Sequence, residues 1–165
     1  MYTVQLRALE PEDLDIVYRI ENDTRLWQWG ADSQPYSRFT LRRYIESQVA
    51  DIYRDGQLRL VATADGQAVA LVDLTDFCPH HRRAEVGIVV LPEHQRKGIA
   101  TAALQQLEAY ARTRLNLACL YAYVGEANQP AEALFRSLGY TAVGRLPRWI
   151  EGKETAILFQ RLLQA

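Results

Sequence analysis

Apolar and polar positions alternate over residues 3–7, which predicts a strand. Pro11 then opens a helix with Leu14, Val17 and Ile20 on one face. Glu12 and Asp13 lie in its first turn, where the positive helix end favours acidic groups. Residues 22–36 form a polar and aromatic stretch with Trp27, Trp29, Asp32 and Tyr36. Ser37 or Thr40 is placed to cap a second helix whose apolar face is Leu41, Tyr44, Ile45 and Val49. Residues 58–64 and 67–74 flank Asp65-Gly66, a dipeptide favoured in two-residue primed turns, so this segment reads as a hairpin.

Residues 77–83 read as a connection and 84–91 as an apolar strand that ends at Pro92. A basic turn through Gly98 follows, and then Ile99, Ala103, Leu107, Tyr110 and Ala111 recur at helical spacing. Arg112 and Arg114 complement the negative end of that helix. Residues 117–124 predict another strand. A short helix turns Ala131, Leu134, Phe135 and Leu138 inward and stops at Gly139, suited to a left-handed cap. The last strands are 140–144 and 155–163, joined through 145–153. The order is α/β (α+β), with a mixed sheet. With no repeat, low-complexity tract or linker-like shift, residues 1–165 read as a single domain.

At 165 residues, 48% hydrophobic and 24% charged, the chain suits a soluble domain with a sizeable core. The formal net charge of −1 supplies no global field for nucleic acid, so no nucleic-acid partner is expected and any anion site is a local cluster. Cys78 and Cys119 make neither a disulfide framework nor a CxxC pair, and His80, His81 and His94 lack metal-ligand spacing, so no metal is predicted. Cys119 reads as a small buried hydrophobe. Residues 1–5 do not resemble a signal peptide and no apolar run reaches membrane-spanning length, so no membrane partner and a cytoplasmic location are expected.

The chemistry concentrates at Gln95-Arg96-Lys97-Gly98-Ile99-Ala100-Thr101. The first backbone N–H groups of a helix have no internal partners and sit at its positive end. Gly98 lets an anion approach the backbone, and Arg96 and Lys97 add positive charge. The bland alternative is a solvated turn. The context of strand, proline, basic turn, helix, strand and a helix ending Leu138-Gly139-Tyr140 resembles the GNAT superfamily of acetyl-CoA-dependent N-acetyltransferases. Gln95, Gly98 and Ala100 match its pyrophosphate signature. Residues 81–88, 92–95, 114–117 and 128–139 look closest to the spermidine N-acetyltransferase and ribosomal-protein-acetylating branches.

The resemblance implies a mixed sheet of about seven strands flanked by helices and splayed at the cofactor strand. Acetyl-CoA is the implied co-substrate. Its pantetheine arm would pair with the backbone of Gly87, Ile88, Val89 and Val90, where an N–H could stabilise a developing oxyanion. Its pyrophosphate would lie on Gln95 to Thr101, and Asn128 and Phe135 would contact the cofactor. Glu85 is a candidate general base, or else a strand residue paired with Arg82 or Arg83. Asp73 is a candidate anchor for the substrate ammonium, or else a water-facing edge residue. Trp27 and Tyr36 are either packing residues or walls of a substrate pocket.

Two departures from the family pattern bear on mechanism. Phe135 stands where the family places a tyrosine acid, so a water, Tyr140, another hydroxyl or no donor at all serves the leaving thiolate. Ser33-Gln34 replaces the acidic pair of spermidine acetyltransferases, leaving Asp32 as the nearest carboxylate; Pro130 stiffens the turn after Asn128. The expected activity is direct acetyl transfer from acetyl-CoA to a primary amine, of a polyamine-like small molecule or of a peptide N-terminus. A CoA-binding module with little turnover is the rival from another class. The resemblance also allows a homo-oligomer.

Overall fold

A computed structural model describes residues 1–29, 33–49 and 51–164. Asp32 lies outside the described residues. The strands are β1 (Val4–Ala8), β2 (Leu58–Ala64), β3 (Gln67–Cys78), β4 (Arg83–Val90), β5 (Cys119–Gly125), β6 (Thr141–Ile150) and β7 (Glu154–Leu162). The helices are α1 (Leu14–Glu21), α2 (Thr24–Trp27), α3 (Arg38–Glu46), α4 (Ile52–Asp55), α5 (Ile99–Thr113) and α6 (Gln129–Ser137). One seven-stranded sheet runs in the order β1-β2-β3-β4-β5-β7-β6. Every neighbouring pair is antiparallel except β4 with β5.

The local reasons are those the side chains suggest. Asp65 and Gly66 both take positive φ, 50° and 85°, as a primed turn between β2 and β3 demands. Ser37 caps α3 by accepting a hydrogen bond from the Thr40 N–H, and Gly139 ends the α6 segment at φ 83°. Period-two alternation then sorts β2 to β5 into two faces. Behind the sheet, Ala62, Val72, Leu74, Ala84, Val86, Leu120 and Ala122 pack with Leu104 and Leu107 of α5 and Phe135 of α6. In front, Val61, Leu71 and Leu91 pack with Ile16, Val17 and Ile20 of α1 and with Leu41 and Ile45 of α3. Burying each of the larger side chains contributes about 1.5–3 kcal/mol, so both layers hold the sheet.

Four elements depart from the sequence reading. Strand β3 continues past Leu74 to Cys78, with an irregularity between Thr75 and Cys78 where Asp76 takes φ 46°. The segment read as a 145–153 connection is mostly strand, because β6 reaches Ile150. Pro147 is tolerated within it because β6 is the sheet's edge, where a missing N–H costs no ladder bond. Helices α2 and α4 are single turns capped by Asp23 and Asp51, too short for a periodic signal. Val49 falls beyond α3 and is exposed. No helix among the described residues is long and apolar enough to cross a membrane.

Candidate active site

Strand β4 is bonded unequally on its two sides. Against β3 it pairs from Thr75↔Glu85 through Ala70↔Val90; against β5 it pairs only at Arg83↔Cys119, Ala84↔Leu120 and Glu85↔Tyr121. Beyond Glu85 the strands part, because β5 continues to Gly125 in register with β7. The β5-facing backbone of Gly87, Ile88, Val89 and Val90 therefore has no strand partner. Gly87 and Val89 face the front, while Ile88 and Val90 lie against the rear core.

At the end of β4 the chain turns through Pro92–His94 into α5. Gln95 donates its amide to the Val90 carbonyl (3.0 Å), and Lys97 donates its ammonium to the Glu93 carbonyl (2.8 Å). These two side chains brace the turn. Arg96 and Gly98 take positive φ, 60° and 77°. Ile99 is buried and pins the start of the helix, while Gly98 provides no side-chain cap. The first-turn N–H groups of Ile99, Ala100 and Thr101 consequently point outward without a cap. A Cβ added to Gly98 would meet nothing within 4 Å, so the approach to those groups is open. Glu93 accepts both hydrogen bonds of Arg19 (2.8 and 3.0 Å), tying α1 to the turn. Between them lies a cleft of about 430 Å³, walled by Ile20, Leu26, Val89 and Val90 with Arg19 and Gln95 at its rim.

The front face beside the parting strands is acidic. Glu85 occupies the last paired position of β4 on the β5 side. Burial, then the charge of Asp76, pushes its carboxyl above the usual glutamate value. It does not pair with Arg82, which donates to the Asn116 carbonyl and side chain instead. Asp76 accepts the Tyr121 hydroxyl from across β4. Burial first, then that hydrogen bond and the charge of Asp76, hold Tyr121 protonated well above the ordinary phenol range.

Asp73 sits opposite Gly87 on the third strand of seven, so it is no edge residue. Nor is it unpaired. Arg59 donates to both its oxygens (2.7 and 3.0 Å) and to Glu21 of α1 (2.6 Å). Burial works against the Arg59 charge, but Asp73, Tyr44 and Glu21 more than offset it, so the guanidinium stays charged.

The remaining expected residues divide. Asn128 caps α6, its carbonyl accepting from the Ala131 N–H at 3.3 Å; among the described residues its amide NH2 has no acceptor. Phe135 is buried behind the sheet, edge-on to Tyr140 (5.0 Å) and stacked near Phe159 (6.3 Å). Tyr140 must be corrected. It is 3% exposed and precedes β6, two strands from β5; its hydroxyl lies among Glu108, Arg161 and Cys119. Burial, then the charge of Glu108, raises that phenol far above its ordinary value, so it is neither placed nor poised to protonate a leaving group at the splay.

Neither Trp27 nor Tyr36 lines the cleft. Trp27 donates to the Glu21 carbonyl (3.0 Å), and Tyr36 is clasped by Asn22 at its own N–H (2.8 Å) and carbonyl (3.0 Å). It is Trp29 that reaches the sheet: a Cβ on Gly125 would lie 2.1 Å from its ring. Sequence reasoning missed Arg59, Asp76 and Tyr121. The available signals were an arginine and an aspartate on facing hairpin strands, and a tyrosine alternating with core residues.

A diverging strand pair, a half-buried carboxyl where the strands part and an uncapped helix start can hold a thioester-bearing cofactor and accept a proton from an amine. Similarity to known proteins identifies the family. The acetyltransferase (GNAT) domain family matches residues 3–141. A spermidine N(1)-acetyltransferase from Escherichia coli K12 is 34% identical over 150 residues, covering 88% of this chain and 76% of that protein. The crystal structure of spermidine N-acetyltransferase from Vibrio cholerae in complex with CoA and spermine superposes with a TM-score of 0.84 at 28% identity, covering 97% of this chain and 95% of the other. A dodecameric structure of the V. cholerae enzyme in an intermediate state gives 0.78 at 28% identity, covering 97% and 94%. The chain belongs to the GNAT family of acetyl-CoA-dependent N-acetyltransferases.

Proposed function

We propose that this enzyme acetylates a primary amine of a small aliphatic polyamine by direct transfer from acetyl-CoA, with residues 1–165 acting as one catalytic domain. The observation that carries the reading is the parting of β4 and β5 immediately after Glu85, next to the open start of α5. The residues present fit coenzyme A. The N–H groups of Ile99, Ala100 and Thr101 and the open approach at Gly98 suit a pyrophosphate, with Arg96 adding charge. Gln95 and Lys97 act by bracing that turn. The β5-facing backbone of Gly87 to Val90, apart from the Val90 carbonyl that Gln95 already occupies, suits the amides of the pantetheine arm, the Asn128 amide can add a donor, and Phe135 closes the rear as an apolar wall.

When bound, acetyl-CoA supplies an activated acyl group. The chain's part is to orient the amine and take its proton. Glu85 is the base, its raised pKa matching it better to an ammonium than an ordinary carboxylate. With Arg59 on its carboxylate, Asp73 acts through the field of the Glu21–Arg59–Asp73 group rather than as a free anchor. Two carboxylates against one guanidinium leave that group negative, which favours a cationic acceptor. Trp27 and Tyr36 hold the α1–α2 segment that forms the front wall.

The polyamine class is supported by the relatives' substrates and by this acidic face. The dodecameric V. cholerae relative supports self-association. A cytoplasmic location fits two free cysteines.

Gly98→Asp tests the donor site. It puts a side chain where φ is 77° and a negative charge at the helix start, so CoA affinity by calorimetry should fall by about 100-fold or more. Unchanged affinity, with the fold intact by melting, would show the cofactor lies elsewhere. Thiol release measured with an amine panel and N-terminal peptides settles the acceptor. Faster turnover of peptides would move the assignment to protein N-termini.

A further inference from the structure

At the far end of β5 the front face carries aromatic side chains that the donor site does not use. Tyr121 and Tyr123 alternate on that face with ring centroids 5.9 Å apart, edge to face. Tyr123 is stacked on Trp149 at 5.6 Å and 29°. Trp149 belongs to β6, and β7 lies between β6 and β5. It reaches Tyr123 because the strand pairing is irregular between Leu146↔Ala156 and Ile150↔Glu154, with Arg148 in the left-handed region at φ 58°. Arg148 holds that shape by donating to the Gly152 carbonyl (3.0 Å). Bulges of this kind re-aim side chains, and a strained non-glycine residue persists where the surroundings impose it.

Burial does not explain the arrangement, since Trp149 remains 56% exposed and Tyr123 38%. Position and charge suggest a use. Glu85 lies beside Tyr121 in register, and Asp76 accepts the Tyr121 hydroxyl. At the other end Trp29 packs on Gly125, two residues beyond Tyr123 on the same face. The result is a strip that begins with carboxylates at the reaction centre and ends with aromatic rings. An amine whose reacting nitrogen lies at Glu85 would lay its methylene chain across Tyr121 and Tyr123. A second ammonium would then meet the electron-rich faces of Tyr123 and Trp149. At 5.6 Å the stacked pair has no room for a ligand between the rings, so the methylenes pass along their edges and the ammonium takes an outer ring face.

We propose that Tyr123 and Trp149 form the subsite for the tail of the acceptor amine, selecting an aliphatic chain that carries a second ammonium group. The inference rests on the acetyl-transfer reading for the position of the reacting nitrogen. Steady-state kinetics with ethylamine and 1,4-diaminobutane test it on the intact chain, comparing the wild type with Trp149→Ala and Trp149→Phe. Trp149→Ala should raise KM for 1,4-diaminobutane about tenfold and leave ethylamine within about twofold, with kcat unchanged for both. Trp149→Phe keeps an aromatic face and should recover most of the loss.

An equal rise for both amines, or no rise for either, overturns the proposal. So does a change in oligomeric state by light scattering without dependence on the acceptor's second charge, which would make the pair a subunit contact. If the wild type binds CoA yet acetylates no amine, the functional reading fails instead. The subsite is then judged by tryptophan fluorescence. Quenching by 1,4-diaminobutane that Trp149→Phe abolishes upholds it, and quenching identical in the two proteins overturns it.

Discussion

Behind the sheet, β3, β4 and β5 present Val72, Leu74, Ala84, Val86, Leu120 and Ala122, all buried and all apolar. In front, one residue along each strand, the same rows read Asp73, Thr75, Glu85, Gly87, Tyr121 and Tyr123. The rear rows meet α5 and α6 and bring stability by exclusion of water. The front rows carry two acids, a threonine, a glycine and two phenols next to the gap where β4 loses its partner. Polar groups so placed reduce what burial could contribute; Arg59 satisfies Asp73, whereas Glu85 has only the like charge of Asp76 beside it. The comparison teaches where the molecule tolerates charge, and each substitution below tests one side of it.

The largest effect is expected at Arg59, whose side chain is 21% exposed and bridges Asp73 and Glu21. Arg59→Ala leaves two half-buried carboxylates without a counter-charge and also removes the cation from the Tyr44 ring. Breaking such a group by removing one member costs about 3–5 kcal/mol. The triple variant Glu21→Ala, Arg59→Ala, Asp73→Ala should be more stable than the single one, because the penalty lies in the stranded charge. Urea unfolding measures both. A single-variant loss under about 1 kcal/mol would mean the front face needs no internal neutralisation.

Next comes Glu85→Gln, which keeps shape and removes the proposed base; kcat should fall by about 100- to 1000-fold with CoA affinity unchanged. Its pH dependence has a definite sign. As the proposed base Glu85 must be ionised, and burial with the Asp76 charge raises its pKa, so the rate should climb with pH through a value above that of an ordinary glutamate and be lost below it. Asp76→Asn removes the repelling charge, so the acid limb of kcat/KM should move to lower pH. A limb that stays in place in Asp76→Asn would separate Glu85 from the titrating base. A limb surviving in Glu85→Gln would do the same.

Much of this contrast is legible in the chain. Alternation in β2 to β5, the Asp65-Gly66 turn and the Gln95–Thr101 segment place the sheet and the proposed donor site, because they depend on local periodicity and turn chemistry. The acceptor side is less legible because it depends on pairings between distant strands. Nothing local says that Arg59 will meet Asp73, that the irregularity at Asp76 will send a carboxylate across β4 to Tyr121, or that Pro147 and Arg148 will turn Trp149 over β7. Tyr140 shows the same limit from the other direction. The absence of the family's tyrosine at Phe135 makes it a candidate proton donor, whereas its packing against Phe135 puts it in the rear core.

The smallest effect, and the sharpest probe of the boundary between the faces, is expected for Phe135→Tyr. Phe135 is 5% exposed behind β5 and β7, ringed by Tyr140 and Phe159. A hydroxyl added there either reaches the splay between β4 and β5 or stays among apolar neighbours, where an unpaired donor costs about 1–3 kcal/mol. The leaving group is a thiolate whose conjugate acid has a pKa of about 8.5, so expulsion near neutral pH needs little proton assistance. With Glu85 carrying the amine's proton, kcat at saturating acetyl-CoA should change by no more than about threefold, accompanied by a lower melting temperature. A tenfold rise in kcat would contradict this. It would show that leaving-group protonation limits turnover and that residue 135 belongs to the reacting side of the sheet.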